Sequence, residues 1–418
     1  MKLHQVKSPQ DIKEEMREYF KNIKIDKETV NIKNALNRIV YEDVLSKVDI
    51  PDFDKSTVDG FAVKASDVYG ASESIPAFLN YKGQVEMGKD TDLTVDYDEC
   101  VYVPTGGKLP EGSNAVVMIE YTEEIDEETI AVYRPLGEGE NIIKIGEDMK
   151  KEEILLKKGR KIKSYDLGVL SAQGIWEIDV YKKPKVSIIS TGDELVPPYE
   201  EIKEGQIRDI NTYTIMGAVE EFGGQVVNTD IIKDNYQSLQ KAVEKYGKVS
   251  DVVIISGGSS VGVKDNTAKV LDSLGEPGVF VEGAAIKPGK PTIISYSNET
   301  AYMGLPGHPL SSAIVFSIFG SELFNILFDR EMDSEIEVEA LSSQNLHSTP
   351  GRETYQAVNI YKENGKRYFK PILGKSASIS TIVKADGLLK IDVQEEGVSK
   401  DEVRKIILIW NEVDYERR

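Results

Sequence analysis

The sequence contains a single cysteine, Cys100. An intrachain disulfide is therefore excluded, and so is a zinc site built on cysteine clusters. Histidine is nearly as scarce: His4, His308 and His347 stand far apart and offer no pair at metal-ligand spacing. Long apolar runs are missing too. The longest, AIVFSIFGSELFNILF (313–328), is broken by Ser317, Gly320, Ser321, Glu322 and Asn325, and it falls short of the roughly 20 residues that span a bilayer. The opening MKLHQVKSPQ is polar and lacks the apolar centre of a signal peptide. Basic charge is also in deficit, with 51 Lys and Arg against 71 Asp and Glu, for a net charge of -20. Such a surface repels nucleic acid and anionic membranes, so neither is expected as a partner. A cytoplasmic location is expected.

What is present describes a globular chain of 418 residues, 40% apolar and 29% charged. At about 150 residues per domain, that length predicts two to four domains. Ser8, Pro9 and Asp11 form a helix start, followed by the apolar stripe Ile12, Met16, Phe20 and Ile23. A second helix is expected from Asp26, carrying Val30, Leu36, Ile39 and Val40. From 51 to 140 short β-like pieces (VYVPT, AVVMIEY, TIAVYRP) alternate with Gly, Pro and acidic turns. Segment 141–183 then returns towards the first helices. From 184 to 328 the rhythm is strand, helix, strand: KVSIIST, NTYTIMGAVEEF ended by Gly223-Gly224, QVVNTDII, NYQSLQKAVEKYGK, DVVIIS. The last 90 residues are again β-like, with Asn364-Gly365 as a hairpin turn. The expected fold is multidomain α/β plus β. A segmented helical domain (1–50 and 141–183) holds an inserted small β domain (51–140), followed by a central doubly wound α/β domain (184–328) and a C-terminal β domain (329–418).

Candidate site residues gather at the carboxyl ends of the α/β strands, where such folds bind ligands. Val252–Ile255 reads as a strand buried on both faces, and it runs into SGGSSVG. There Gly257, Gly258 and Ser260 allow close backbone approach and oxyanion binding. TGDEL puts Asp193 and Glu194 after the first strand, and Asp265 closes the Gly/Ser loop. KPGKP brings Lys287 and Lys290 together, and GLPGHPLS, with Pro306, Pro309 and Ser311, precedes the apolar helix. The plainer readings are ordinary turns and helix entries. Two lysines, a helix start and a Gly/Ser loop together favour an anion site, and the carboxylates beside it suit a magnesium-type cation. A second cluster, PDFDKSTVDGFAV, holds Asp59 at a strand start. PTGGKLPEG offers Thr105.

In this order and register, DIPDFDKSTVDGFAV, PTGGKLPEGSNAVVM, IGEDM, STGDEL, IRDIN, SGGSSVG, KPGKP, GLPGHPLS, GRETYQAV and KADGL make the chain resemble the molybdopterin molybdenumtransferases, the family of MoeA and the gephyrin E domain. The resemblance implies molybdate insertion into adenylylated molybdopterin with Mg²⁺ and release of AMP. It also implies a C-terminal β barrel, and a homodimer with the active site between subunits. Molybdopterin adenylyltransferase and apo-molybdoenzymes are candidate partners. Asp59, Thr105, Asp148, Glu194 and Asp265 fall where the family has functional residues around nucleotide, metal and pterin. Lys287, Lys290, Ser311, Arg352 and Ser376 fall where molybdate is expected. Asp59, Glu194, Asp265, Lys287 and Lys290 form the expected catalytic set, and Glu194 and Asp265 the metal ligands. The chain departs from the family at Ser259 (usually Val), Val263 (usually acidic), His308 (usually Asn), Val58 (usually Met) and Phe61 (usually Tyr). The rival readings are a molybdopterin-binding scaffold that no longer turns over, and a molybdopterin adenylyltransferase, whose fold resembles the α/β domain alone.

Overall fold

The structure, a computed structural model, describes residues 6–257, 261–330 and 336–409, and for 261–265 the backbone only. Helix Pro9–Phe20 forms as expected: the Ser8 hydroxyl accepts the Asp11 N–H at 3.1 Å, with Pro9 in the first turn. Ile12, Met16 and Phe20 are fully buried. Tyr19 and Phe20 meet Phe280, with ring centroids 4.7 and 5.7 Å apart, so this helix shares the core of the later α/β unit. The second helix expected from Asp26 does not form. Lys27–Asn31 is instead a strand antiparallel to Glu177–Tyr181, and Asn31 Oδ1 accepts the Lys33 N–H at 3.0 Å to start a short 3-10 turn. Thr29 and Val30 are β-branched and suit the strand. Ile39 and Val40 form bridges to Lys161 and Val180 rather than completing a helical stripe.

Segment 51–140 folds into a six-stranded sheet, whose strand Gly60–Val63 lies between Ala115–Met118 and Glu99–Val103. Only glycine fits at position 60, because a Cβ there would lie 1.8 Å from the Val117 carbonyl oxygen. The chain leaves and re-enters this sheet through two antiparallel stitches, Lys55–Ser56 with Ile142–Ile143 and Val44–Leu45 with Ile154–Leu156.

The central sheet has the order Gln225–Ile232, Lys185–Thr191, Val252–Gly257, Thr300–Pro306, Ile293–Ser297, Gly278–Glu282. Its first four strands are parallel, Ile293–Ser297 runs against them, and Gly278–Glu282 pairs antiparallel with Ile293–Ser297. Alternate residues feed two cores. Val186, Ile188, Val252 and Ile254 pack with Ile215 and Val219 of helix Asn211–Phe222 and with Ile314 of the long helix. Ile189, Val253 and Ile255 pack with Leu239 and Val243 of helix Tyr236–Gly247 and with Val270. The long helix runs over 19 residues, Pro309–Leu327, with a π turn at Phe316–Gly320, and is longer than the broken apolar run suggests. It is long and apolar enough to cross a membrane by length and composition, yet 78% of its apolar window is buried inside the protein.

In the C-terminal part, Glu337–Ser342, Glu353–Glu363, Lys366–Pro371, Gly387–Ile391 and Val403–Leu408 pair around into a closed barrel. Asn364-Gly365 makes the expected hairpin turn, with φ of 48° and 76°. The pair Ile286–Lys287 adds to Glu353–Thr354 in parallel and joins the barrel to the α/β unit.

Candidate functional site

Strands Lys185–Thr191, Val252–Gly257 and Thr300–Pro306 end on one rim of the central sheet. A cavity of 490 Å³ opens there, walled by Ser190, Thr191, Glu194, Asn211, Ser256 and Gly257, with Arg208, Gly307, His308 and Pro309 among the remaining lining residues. It sits beside the point where successive connections diverge from the first strand, which is where such sheets bind ligands. The rim is tied down by polar contacts. Ser190 Oγ and Thr212 Oγ1 are 2.9 Å apart, and the Asn211 amide donates to Ser256 Oγ at 2.7 Å and to the Gly307 carbonyl at 2.9 Å. Thr191 Oγ1 and Asn211 Oδ1 are buried without a partner among the described residues, so these two polar oxygens of the cavity wall are unsatisfied there.

Of the expected residues, Glu194, Gly257 and Pro309 line this cavity. Pro306 ends a buried strand behind it. Gly258, Ser260 and the departure Ser259 lie outside the described residues. Asp265 and Val263 fall on helix Val261–Asp272, but their side chains lie outside the description too.

The lysine loop packs on the long helix. Gly289 of KPGKP backs onto Val315, where a Cβ would come within 2.5 Å of Cγ2, so glycine lets the lysine loop lie against the helix. Lys287 pairs with Thr354, and Arg352 directly precedes the strand that makes this pairing. Lys287, Lys290 and Arg352 are exposed and have no ion-pair partner among the described residues. The helix start itself is less open than the sequence implies. Pro309 has no N–H, Leu310 N–H donates to the Ser376 carbonyl at 3.1 Å, and Ser312 N–H donates to His308 O at 2.9 Å. Ser311 is buried. His308 makes no side-chain cap; its Nδ1 lies 2.8 Å from Ser376 Oγ and so joins the helix start to the C-terminal barrel.

Asp59 and Thr105 meet in the inserted β sheet, where the Asp59 carboxylate accepts the Thr105 N–H at 2.7 Å. Asp148 lies one loop away, with its N–H donating to Ile50 O at 3.0 Å. Nearby Asp54 is pushed up by partial burial, but Lys144 and the Ile145 N–H outweigh this and hold it below the ordinary aspartate value. No residue from this region lines the 490 Å³ cavity, so within one chain the two clusters stand apart.

Sequence reasoning missed Asp234, which follows the second parallel strand at the same sheet edge. Partial burial and then repulsion from Asp193 and Glu194 push it above the ordinary aspartate value. The signal was available, because the ends of all four parallel strands face the same side. Three carboxylates in one neighbourhood make an oxygen donor set for a hard cation. Among the described residues, however, no three acidic, imidazole or thiol groups are arranged to hold a metal.

Comparison with known proteins covers most of the chain. The MoeA N-terminal region (domains I and II) matches residues 8–174, a probable molybdopterin binding domain matches 187–325, and the MoeA C-terminal region (domain IV) matches 339–409. A putative molybdopterin biosynthesis protein of Methanocaldococcus jannaschii is 36% identical over 406 residues, 95% of each chain. The chain belongs to the MoeA family. The molybdopterin molybdenumtransferase of Haemophilus influenzae is 31% identical over 378 residues, covering 90% of this chain and 92% of its own. Two MoeA crystal structures from Pyrococcus horikoshii superpose with a TM-score of 0.82, at 35% and 29% identity, each covering 97% of this chain. The α/β, inserted β and barrel parts of this chain are thus those of a MoeA protein, with His308 bonded to Ser376 as a local feature of its own site.

Proposed function

We propose that this chain is a molybdopterin molybdenumtransferase that inserts molybdate into adenylylated molybdopterin and releases AMP with the help of Mg²⁺. The observation that carries the reading is the set of exposed cations, Lys287, Lys290 and Arg352, which have no ion-pair partner among the described residues of a protein of net charge -20. A dianionic tetrahedral oxyanion calls for such cations, and arginine adds a planar fork. Ser311 and Ser376, which the family resemblance assigns to molybdate, would add hydroxyl donors. The adjoining cavity, with Glu194, Gly257 and Pro309 in its wall, takes the organic part of the substrate. Glu194 and Asp265 would hold Mg²⁺, with Asp193 and Asp234 close enough to Glu194 to feel its charge; carboxylate oxygens are the ligands a hard cation takes. Such an ion would supply positive charge against the phosphate oxygens on which charge builds when AMP leaves.

The chain's own contribution is to bind, orient and exclude water around the oxyanion and the dithiolene. Asp59 and Thr105 reach the site from a second copy, which makes the homodimer the working unit. An adenylyltransferase that supplies the substrate and apo-molybdoenzymes that take the product are the fitting protein partners. A cytoplasmic location suits a chain whose apolar helix is a core element. ATP-dependent adenylylation, the rival activity, would leave Arg352 and Ser376 without a role.

The test is AMP release from adenylylated molybdopterin by the purified protein with Mg²⁺, with and without molybdate. Molybdate-dependent release is expected. Tight substrate binding with no release would indicate a binding protein instead. In the same assay Lys290→Ala should raise the half-saturating molybdate concentration about tenfold, the scale of one charge-assisted contact. Wild-type behaviour at limiting molybdate would remove Lys290 from the oxyanion site.

A further inference from the structure

Asn211 opens helix Asn211–Phe222, is 8% exposed and lines the 490 Å³ cavity. Both hydrogens of its amide nitrogen are used. One goes to Ser256 Oγ at 2.7 Å, at the end of the strand that leads into the Gly/Ser loop. The other goes to the Gly307 carbonyl at 2.9 Å, in the loop that leads into the long helix. This pairing fixes the amide orientation, because the flipped amide would set Oδ1 against a carbonyl oxygen. The oxygen so fixed, Oδ1, is buried and has no partner among the described residues. Around it the helix start is held further, with Thr212 N–H donating to Asp209 Oδ1 at 3.2 Å and Thr212 Oγ1 2.9 Å from Ser190 Oγ. One short segment therefore touches the ends of three parallel strands.

We propose that Asn211 is a positioning residue of the substrate pocket. It sets the spacing between the strand end at Ser256 and the oxyanion-side loop that starts at Gly307, and its Oδ1 is satisfied by a donor that the substrate brings. The proposal rests on the molybdenumtransferase reading for what each loop holds, but not for the positioning itself. An unpaired buried acceptor costs stability until a donor arrives. A loop joint fixed by one amide transmits small displacements to both loops, because packed interiors do not deform smoothly.

Two variants separate the ties. Asn211→Asp keeps the size but presents only acceptors, so the Gly307 carbonyl loses its donor while the Ser256 hydroxyl can still donate. Ser256→Ala removes the other tie and leaves Asn211 in place, and it remains informative if the Asp variant fails to fold. In Asn211→Asp the half-saturating molybdate concentration should rise about tenfold or more, the scale of one lost buried hydrogen bond, with a smaller change for adenylylated molybdopterin. In Ser256→Ala the larger rise should be for adenylylated molybdopterin. Amide hydrogen exchange over 307–312 gives a readout free of turnover, and it should accelerate about tenfold in Asn211→Asp. Unchanged exchange there, or equal rises for both substrates in both variants, overturns the proposal. A parent protein with no molybdate-dependent AMP release, together with accelerated exchange in the variant, would leave the positioning role standing and remove the activity reading instead.

Discussion

At the residue scale, two side chains show how position overrides ordinary chemistry. Cys100 is fully buried, and burial pushes its thiol up to about 12. The native protein should therefore resist thiol reagents at pH 8 and react fully once unfolded. A colorimetric thiol titration with and without urea checks this, and rapid native labelling would contradict it. Asp234 is raised by partial burial and then by Asp193 and Glu194. A carboxyl whose folded value exceeds its unfolded value costs stability progressively as pH rises from about 4, the unfolded value, through the folded value. Asp234→Asn removes that cost, so its melting temperature at pH 7 should match or exceed the parent's, while Mg²⁺-dependent turnover falls. A variant that melts lower and keeps its activity would make Asp234 a structural residue.

At the element scale, helix Ser164–Ala172 is started by a charge rather than by a conventional hydroxyl cap. The buried Asp166 carboxylate accepts from the Lys163 N–H at 2.8 Å and from Arg160 Nη2 and Nε at 2.8 and 3.1 Å. Burial raises this carboxyl, and the Arg160 fork with the Lys163 N–H more than reverses the effect, leaving it below the ordinary aspartate value. A depressed folded value stabilises above the unfolded value, and the gain is lost as pH falls through the folded value. Asp166→Asn should cost about 1–3 kcal/mol at pH 7, the range for a hydrogen bond to a charged group, and progressively less below about pH 4. Urea unfolding at pH 7 and pH 3 measures the difference. An equal loss at both would mean that packing, not charge, is responsible.

At the scale of the whole molecule, the cluster around Asp59 and Thr105 stands apart from the cavity and the lysines within one chain. If the working site lies between subunits, two variants impaired at limiting molybdate should complement each other. Asp59→Asn and Lys290→Ala, unfolded together, refolded as a 1:1 mixture and assayed at limiting molybdate, should release AMP faster than either variant alone, by up to about a quarter of the parental rate, because half the dimers are mixed and each carries one intact site. Activity no higher than that of either variant alone would place both residues in one chain's site.

The sequence by itself determined the elements whose signals are local. The doubly buried run Val252–Ile255, the helix from Asn211 closed by Gly223 at φ 97°, the Asn364-Gly365 turn and the Ser8 start all follow from periodicity and turn chemistry read over a few neighbours. It also placed Glu194, Gly257 and Pro309 at the cavity, because the ends of parallel strands form one edge. Tertiary structure decided the rest. Lys27–Asn31 became a strand only because Glu177–Tyr181 lies beside it. Asn211 reaches Gly307 across 96 residues, and His308 reaches Ser376 across 68. Asp234 is perturbed by carboxylates from a different strand end. Contacts of that separation leave no local period in a sequence, since each side chain's partner is chosen by where the sheet and barrel bring distant loops together.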